Sequence, residues 1–133
     1  MKNEIAITLG AIAMLLSQAS SAGPREDQLA QYAAAAKSAG FSAARGQTLH
    51  TQNFAGGKPD TPACTSCHGK DVRGAGRTPT GKAVEAVAVS VTPTRYTDPA
   101  KVEKWFKRNC NEVLGRECTP QEKGDWLTYM IAQ

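Results

Sequence analysis

Two thiols and an imidazole stand together in Cys64-Thr65-Ser66-Cys67-His68, the arrangement that covalent attachment of a c-type haem requires. Each cysteine sulfur adds to one vinyl group of the porphyrin, and the two intervening residues form the short turn that matches the separation of the vinyls. His68 then lies under the iron as its proximal ligand. Cys-x-x-Cys also occurs in thiol-disulfide centres and as half of a zinc site. A zinc site needs a second pair at compatible spacing, and Cys110 and Cys118 are separated by more than the usual zinc loop. A thioredoxin-like centre needs a βαβ context, and nothing near Cys64 reads as a buried strand. One covalent haem c with its iron is the reading that fits.

The N-terminus bears on compartment. Lys2 is a minimal charged start, Ile5 to Leu16 is apolar, and Ser20-Ser21-Ala22 is a small-residue cleavage signature. An apolar run this short, at about 1.5 Å per helical residue, does not cross a bilayer core of about 30 Å. Residues 1–22 are therefore expected to be a cleaved signal peptide and 23–133 a monohaem cytochrome c domain. Haem is attached to such motifs outside the bacterial inner membrane, so the expected location is periplasmic. Cleavage removes Lys2 and Glu4 together, so the formal charge of +4 survives it. A domain of this size has a thin core by itself, and a haem adds to its apolar centre.

The elements that must hold the motif read as helices. Pro24 suits a first helical position, Leu29, Tyr32, Ala33 and Ala36 share a face, and Gly40 follows as a stop. A second helix is expected from Ser42 to near Thr51, leading into the Gly56-Gly57-Lys58-Pro59-Asp60 loop. From Gly69 to Pro93 the chain reads as a loop around the haem edge, with Val87 to Val91 as a weak strand signal. A last helix opens at Thr119, with Pro120 behind it and Glu122 completing a capping box; Trp126, Tyr129 and Met130 form its buried face.

The helix between these two regions carries a second chemical signal. Asp98 is its N-cap, Pro99 its first residue, and the pattern runs to about Val113. At 100° per residue, Val102, Trp105, Phe106, Asn109 and Val113 lie on one stripe. An amide thus sits where the pattern demands an apolar residue, and burial without a partner costs about 1–3 kcal/mol. Its partner is either a backbone group near the helix end or the iron on the face opposite His68. Cytochromes c usually place a methionine there, but the mature chain has only Met130, which reads as core. Cys110, next to Asn109, can pair with Cys118 in an oxidising compartment; two free thiols are the alternative.

The runs Arg45-Gly46, Gly56-Gly57-Lys58-Pro59-Asp60-Thr61-Pro62, Thr80-Gly81-Lys82, Arg95-Tyr96-Thr97-Asp98, Lys101-Val102-Glu103-Lys104-Trp105, Arg108-Asn109-Cys110 and Gly115-Arg116-Glu117-Cys118-Thr119-Pro120 closely resemble the sphaeroides haem protein (SHP) family. The resemblance covers nearly all of the mature chain. It implies an all-α, class I cytochrome c-like fold of about four helices around one haem. It also implies Cys64 and Cys67 as thioether attachments, His68 and Asn109 as iron ligands, and a Cys110–Cys118 disulfide. In that family the asparagine leaves on reduction, and the ferrous haem binds oxygen, nitric oxide or carbon monoxide. A dihaem cytochrome c and a membrane cytochrome b are the implied electron donors. The related cytochrome c'' has histidine in place of Asn109 and also releases it.

One residue departs from the family pattern. His50 stands where that pattern has an aromatic residue, and it reads as a semi-exposed helix residue on the proximal side; bis-histidine ligation is the sharper alternative. Lys101, Lys104, Lys107 and Arg108 form a basic cluster, usually a solvated face but also able to steer an acidic redox partner. Nucleic acid is not an expected partner. Two functional classes stay open: a redox-gated haem protein for a small diatomic ligand, and a plain electron carrier with a permanently six-coordinate iron, using His50 or Met130. No acid/base pair is evident, so a carrier or gas binder is expected before a dedicated catalyst.

Overall fold

The computed structural model describes residues 22–38 and 40–133. The leader expected over residues 1–22 lies outside them except for Ala22. Five helices follow in chain order: α1 (Pro24–Ala36), α2 (Ala43–Thr51), α3 (Thr65–His68), α4 (Pro99–Leu114) and α5 (Pro120–Ile131). Two short strands, β1 (Gly76–Arg77) and β2 (Ala83–Val84), pair antiparallel with Gly76 opposite Val84. The four long helices are those expected; the motif adds the fifth, and the hairpin was not foreseen.

Local chemistry sets the boundaries. Ser42 caps α2 by accepting from the Arg45 N–H at 3.3 Å, and Asp98 caps α4 through Lys101 N–H at 3.1 Å. Thr119 and Glu122 form the full capping box of α5, satisfying two backbone donors reciprocally. α1 ends before the anticipated stop at Gly40. Lys37 takes a left-handed conformation at φ 51°, and the N–H groups of Lys37 and Ser38 close onto the Ala34 and Ala33 carbonyls.

α5 is the central element, packed against both α1 and α2. The crossing with α2 is close enough that a Cβ at Gly46 would stand 2.1 Å from the Asp125 carbonyl oxygen. Asp125 fastens the same crossing. Its carboxylate accepts from Ser42 N–H at 2.7 Å, from Arg45 Nε and Nη2 at 2.8 Å each, and from Gln121 Nε2 at 3.1 Å. α1 is tied to α4 and α5 through Glu103, which accepts from Tyr32 Oη, from Gln28 Nε2 and from Lys123 Nζ.

The core has two parts. Val72, Val87, Ala88, Tyr129 and Met130 form one; Cys110, Val113, Leu114 and Cys118, with Leu49, Phe54 and Phe106 against them, form the other. The Val87–Val91 segment is not a strand. The Val87 and Ala88 N–H groups both donate to Val72 O, and Val89 N–H donates to Met130 O, so the run straps the core instead of extending a ladder.

Candidate functional site

The Cys-x-x-Cys-His segment is one helical turn. Cys64 precedes α3 with helical dihedrals, the His68 N–H donates to Cys64 O at 3.1 Å, and the Gly69 N–H donates to Thr65 O at 3.0 Å. Residues three apart share a helix face, so Cys64 and Cys67 project from the same side of this turn. Neither thiol is in a disulfide. β1 presses against the turn from behind. A Cβ at Gly76 would lie 1.9 Å from Cys67 O and 2.9 Å from His68 Cα.

The ionisation of these groups separates the candidate chemistries. Burial pushes the Cys64 thiol up to about 11. Cys67 is also raised, by burial first and then by Glu112 and Asp60. Reactive dithiol centres need the opposite shift. Among the described residues no group of three or more His, Cys, Asp or Glu side chains is placed to hold a metal, so a zinc site has no further ligands to draw on. The His68 imidazole is pushed down to about 4 by burial, then by His50 and Arg95. It is held neutral, as an imidazole that coordinates iron must be.

His50 corrects the sequence reading. It is fully buried, not semi-exposed. Trp126 Nε1–H donates to His50 Nδ1 at 3.2 Å, and His50 Nε2 lies 3.1 Å from the Gly69 carbonyl oxygen. Because the indole can only donate, Nδ1 is the acceptor and Nε2 carries the proton that Gly69 O receives. Both nitrogens are occupied, which leaves none to bind iron. His50 does lie beside His68, with ring centroids 6.2 Å apart. Met130, the other alternative ligand, is also fully buried and packs with Val72, Val87, Ala88 and Tyr129.

Asn109 lies on the stripe of α4 that the sequence defined, half-buried. Its side chain makes no hydrogen bond among the described residues, so the backbone partner considered above is not found. Trp105, one turn earlier on the stripe, is 42 % exposed, with the Arg108 guanidinium 5.3 Å over its ring. Phe106 packs 5.6 Å from Trp126, which in turn stands 6.2 Å from His50. Aromatic contacts thus run from Phe106 on α4 through Trp126 and His50 to His68.

The loop before the motif anchors the end of α4. The Lys58 N–H donates to Glu112 O at 2.7 Å, and a Cβ at Gly57 would come within 2.3 Å of the Glu112 and Val113 carbonyl oxygens. Gly57 is required here because backbone meets backbone. Cys110, within α4, and Cys118, beyond its end, are joined as a disulfide with Cα atoms 5.6 Å apart. Lys101, Lys104, Lys107 and Arg108 are all exposed.

These residues fit a covalently held haem. Two unpaired thiols on one face of a turn are followed by a neutral imidazole. Buried polar atoms in this segment, Thr61 Oγ1 and His68 Nδ1, have no partner among the described residues. On α4, Asn109 is half-buried and Trp105 exposed. Among the described residues no helix is long and apolar enough to cross a membrane.

The fold and this site define an all-α c-type cytochrome. A family model described as "Domain of unknown function (DUF1924)" matches residues 36–130. The cytochrome c-type protein SHP of Cereibacter sphaeroides is 55 % identical over 105 residues, covering 79 % of this chain and 81 % of that protein. The structure of oxidised SHP, an oxygen-binding cytochrome c, superposes with a TM-score of 0.79 at 52 % identity, over 82 % of this chain and 96 % of that one. A solution structure of cytochrome c'' from Methylophilus methylotrophus, concerned with haem-ligand detachment, gives 0.69 at 31 % identity, over 82 % and 93 %. The chain belongs to the SHP family, and its cofactor is covalently bound haem c with iron.

Proposed function

We propose that the protein is a periplasmic monohaem cytochrome c in which Asn109 closes the distal side of the oxidised haem and opens it on reduction to a small diatomic ligand. In this reading Cys64 and Cys67 hold the porphyrin through thioethers and His68 is the proximal ligand. When bound, the haem supplies a redox-active iron able to exchange electrons and to take such a ligand when ferrous. The observation that carries the proposal is Asn109: half-buried on the α4 stripe, it has an amide that no protein group engages among the described residues. An amide oxygen is a hard, weak donor, suited to ferric iron and poorly matched to the softer ferrous ion. Asn109 therefore holds in the oxidised protein and lets go in the reduced one.

Several features support the details. The apolar run at Ile5 to Leu16 is of signal-peptide length, and the Cys110–Cys118 bridge suits an oxidising compartment. The relatives' own descriptions, oxygen binding in one and haem-ligand detachment in the other, agree with a releasable ligand. For the plain-carrier alternative, His50 and Met130 are both buried in packing of their own. The exposed Lys101, Lys104, Lys107 and Arg108 favour an acidic redox partner, a dihaem cytochrome c or a membrane cytochrome b by family resemblance. Electron exchange with such a partner slows as ionic strength rises; a rate independent of salt argues against this surface.

The deciding experiment is optical. The reduced protein under carbon monoxide shifts its visible spectrum on mixing, and Asn109→Met largely abolishes that shift. A wild-type ferrous spectrum unaltered by the gas overturns the proposal in favour of the permanently six-coordinate carrier.

A further inference from the structure

Beside His68 lies a pair that haem attachment does not require, the buried His50 and the half-buried Trp126. His50 is on α2, Trp126 on α5, and the attachment turn lies against them. Each polar atom of the His50 ring has one partner: Nδ1 accepts from Trp126 Nε1–H at 3.2 Å, and Nε2–H donates to Gly69 O at 3.1 Å. Gly69 directly follows His68 and has φ 72°, a conformation that L side chains rarely adopt. Its N–H is taken by Thr65 O and its carbonyl by His50, so both backbone groups after His68 are pinned.

The His68 ring itself has no such tether. Ligating histidines usually donate the second ring N–H to a carbonyl or carboxylate, which fixes ring orientation. Here Nδ1 of His68 is buried without a partner among the described residues. What faces the ring is His50, with centroids 6.2 Å apart and planes tilted by 34°. His50 is in turn braced by Trp126 at 6.2 Å and Tyr129 at 6.1 Å. Orientation that is normally set by a hydrogen bond to the ligand is left to packing and to the backbone behind it.

We propose that His50 is a positioning residue for the proximal ligand, and that Trp126 selects its working tautomer. The indole N–H obliges Nδ1 to be the acceptor, which places the proton on Nε2, where it ties the Gly69 carbonyl. Without that donor His50 is free to adopt the other tautomer, which presents a lone pair to a carbonyl oxygen and breaks the tie. The inference rests on His68 being the proximal ligand, as proposed above.

The test uses the holoprotein with His50→Phe, His50→Gln and Trp126→Phe. Glutamine can accept from the indole and donate to the carbonyl; phenylalanine fills the space and does neither. In the diamagnetic ferrous carbon monoxide form, the Trp126 indole N–H exchanges slowly with solvent in wild type and His50→Gln and at least tenfold faster in His50→Phe. In the reduced form without gas, resonance Raman gives one narrow iron–histidine stretching band in wild type and His50→Gln. That band is broadened or displaced in His50→Phe and in Trp126→Phe. If His50→Phe does not fold, Trp126→Phe decides. A band unchanged in the variant without the tie, or glutamine behaving as phenylalanine does, overturns the inference. A wild type with no iron–histidine band at all shows that the reduced iron keeps a sixth ligand, which refutes the release of Asn109 proposed above; the indole exchange rates then decide the role of His50.

Discussion

The two sides of the site are built in opposite ways. Behind the attachment turn, His68 is enclosed: Gly69 is pinned at both backbone groups, β1 lies against Cys67 and His68 too closely for a side chain, and Trp126 and Tyr129 back His50. On the other side of the proposed site, Asn109 rides on one helix, half-buried, with no side-chain hydrogen bond among the described residues. α4 itself is firmly seated by the Gly56-Gly57-Lys58 loop and the Cys110–Cys118 bridge. The freedom is therefore confined to a side chain, not to the helix that carries it. For the releasable ligand proposed above, that combination means that release requires no refolding of the element that returns it.

The largest effect that can break this comparison comes from making the distal ligand permanent. A thioether at position 109 is expected to stay on ferrous iron, where the amide of the proposed ligand Asn109 leaves. If Asn109→Met keeps the reduced site closed ~99 % of the time, the apparent carbon monoxide affinity falls ~100-fold, and the reduction potential rises. Gas titration with spectroelectrochemistry measures both. Unchanged affinity would remove Asn109 from the gate and leave the asymmetry without a functional meaning.

The proximal side is tested next, through the α2–α5 crossing that carries His50 and Trp126. Asp125 is nearly buried at 4 % exposure. Burial alone would raise its carboxyl, but hydrogen bonds from Arg45, Ser42 and Gln121 outweigh that and hold it below the usual range. Asp125→Ala is expected to cost about 2–3 kcal/mol in chemical denaturation near neutral pH, because the Ser42 N–H and the Arg45 guanidinium lose their acceptor. The sign with pH follows from the depressed folded value. The contribution is full above the unfolded carboxyl pKa of about 3.9 and is lost as pH falls through the lower folded one. Wild type and variant thus converge in stability below about pH 4; a constant gap down to pH 2 would show that the carboxylate charge is not what fastens the crossing.

How much of this was legible beforehand depends on distance along the chain. The cofactor implied by the motif and the Asp98 and Thr119 caps rest on local patterns, and they read correctly. His50 and Trp126 are 76 residues apart, and no periodicity connects them, so a histidine on a short helix looked semi-exposed. Leu127 was missed as core for a related reason. α5 is covered by both α1 and α2, so its buried surface is wider than the single stripe of Trp126, Tyr129 and Met130. Gln28 is buried through its bond to Glu103 on α4, again a long-range match. Gly46 and Gly57 could have been flagged as close-approach positions, but which backbone they meet is decided only by the tertiary crossing. Trp105 was placed on the buried stripe and is 42 % exposed, with the Arg108 guanidinium over its ring.

The smallest effect on gas binding, and the finest test of the comparison, concerns the disulfide. Cys110 directly follows Asn109, so a bridge that governed the gate would be expected to alter gas binding when removed. The structure argues otherwise. Asn109 lies within α4, whose C-terminus is capped by Gly115 at φ 72° and covered by the Lys58 N–H on Glu112. Those contacts survive loss of the bridge. Replacing both cysteines by serine frees a loop of about nine residues and should lower stability by about 2.5 kcal/mol on the chain-entropy model, read from denaturant midpoints. Carbon monoxide affinity of the reduced protein should change less than about threefold, because a ligand moving by side-chain rotation on a seated helix is affected only weakly by global stability. A tenfold change in affinity would mean that α4 itself moves on reduction, and that the distal side is mobile as a backbone unit and not only at one amide.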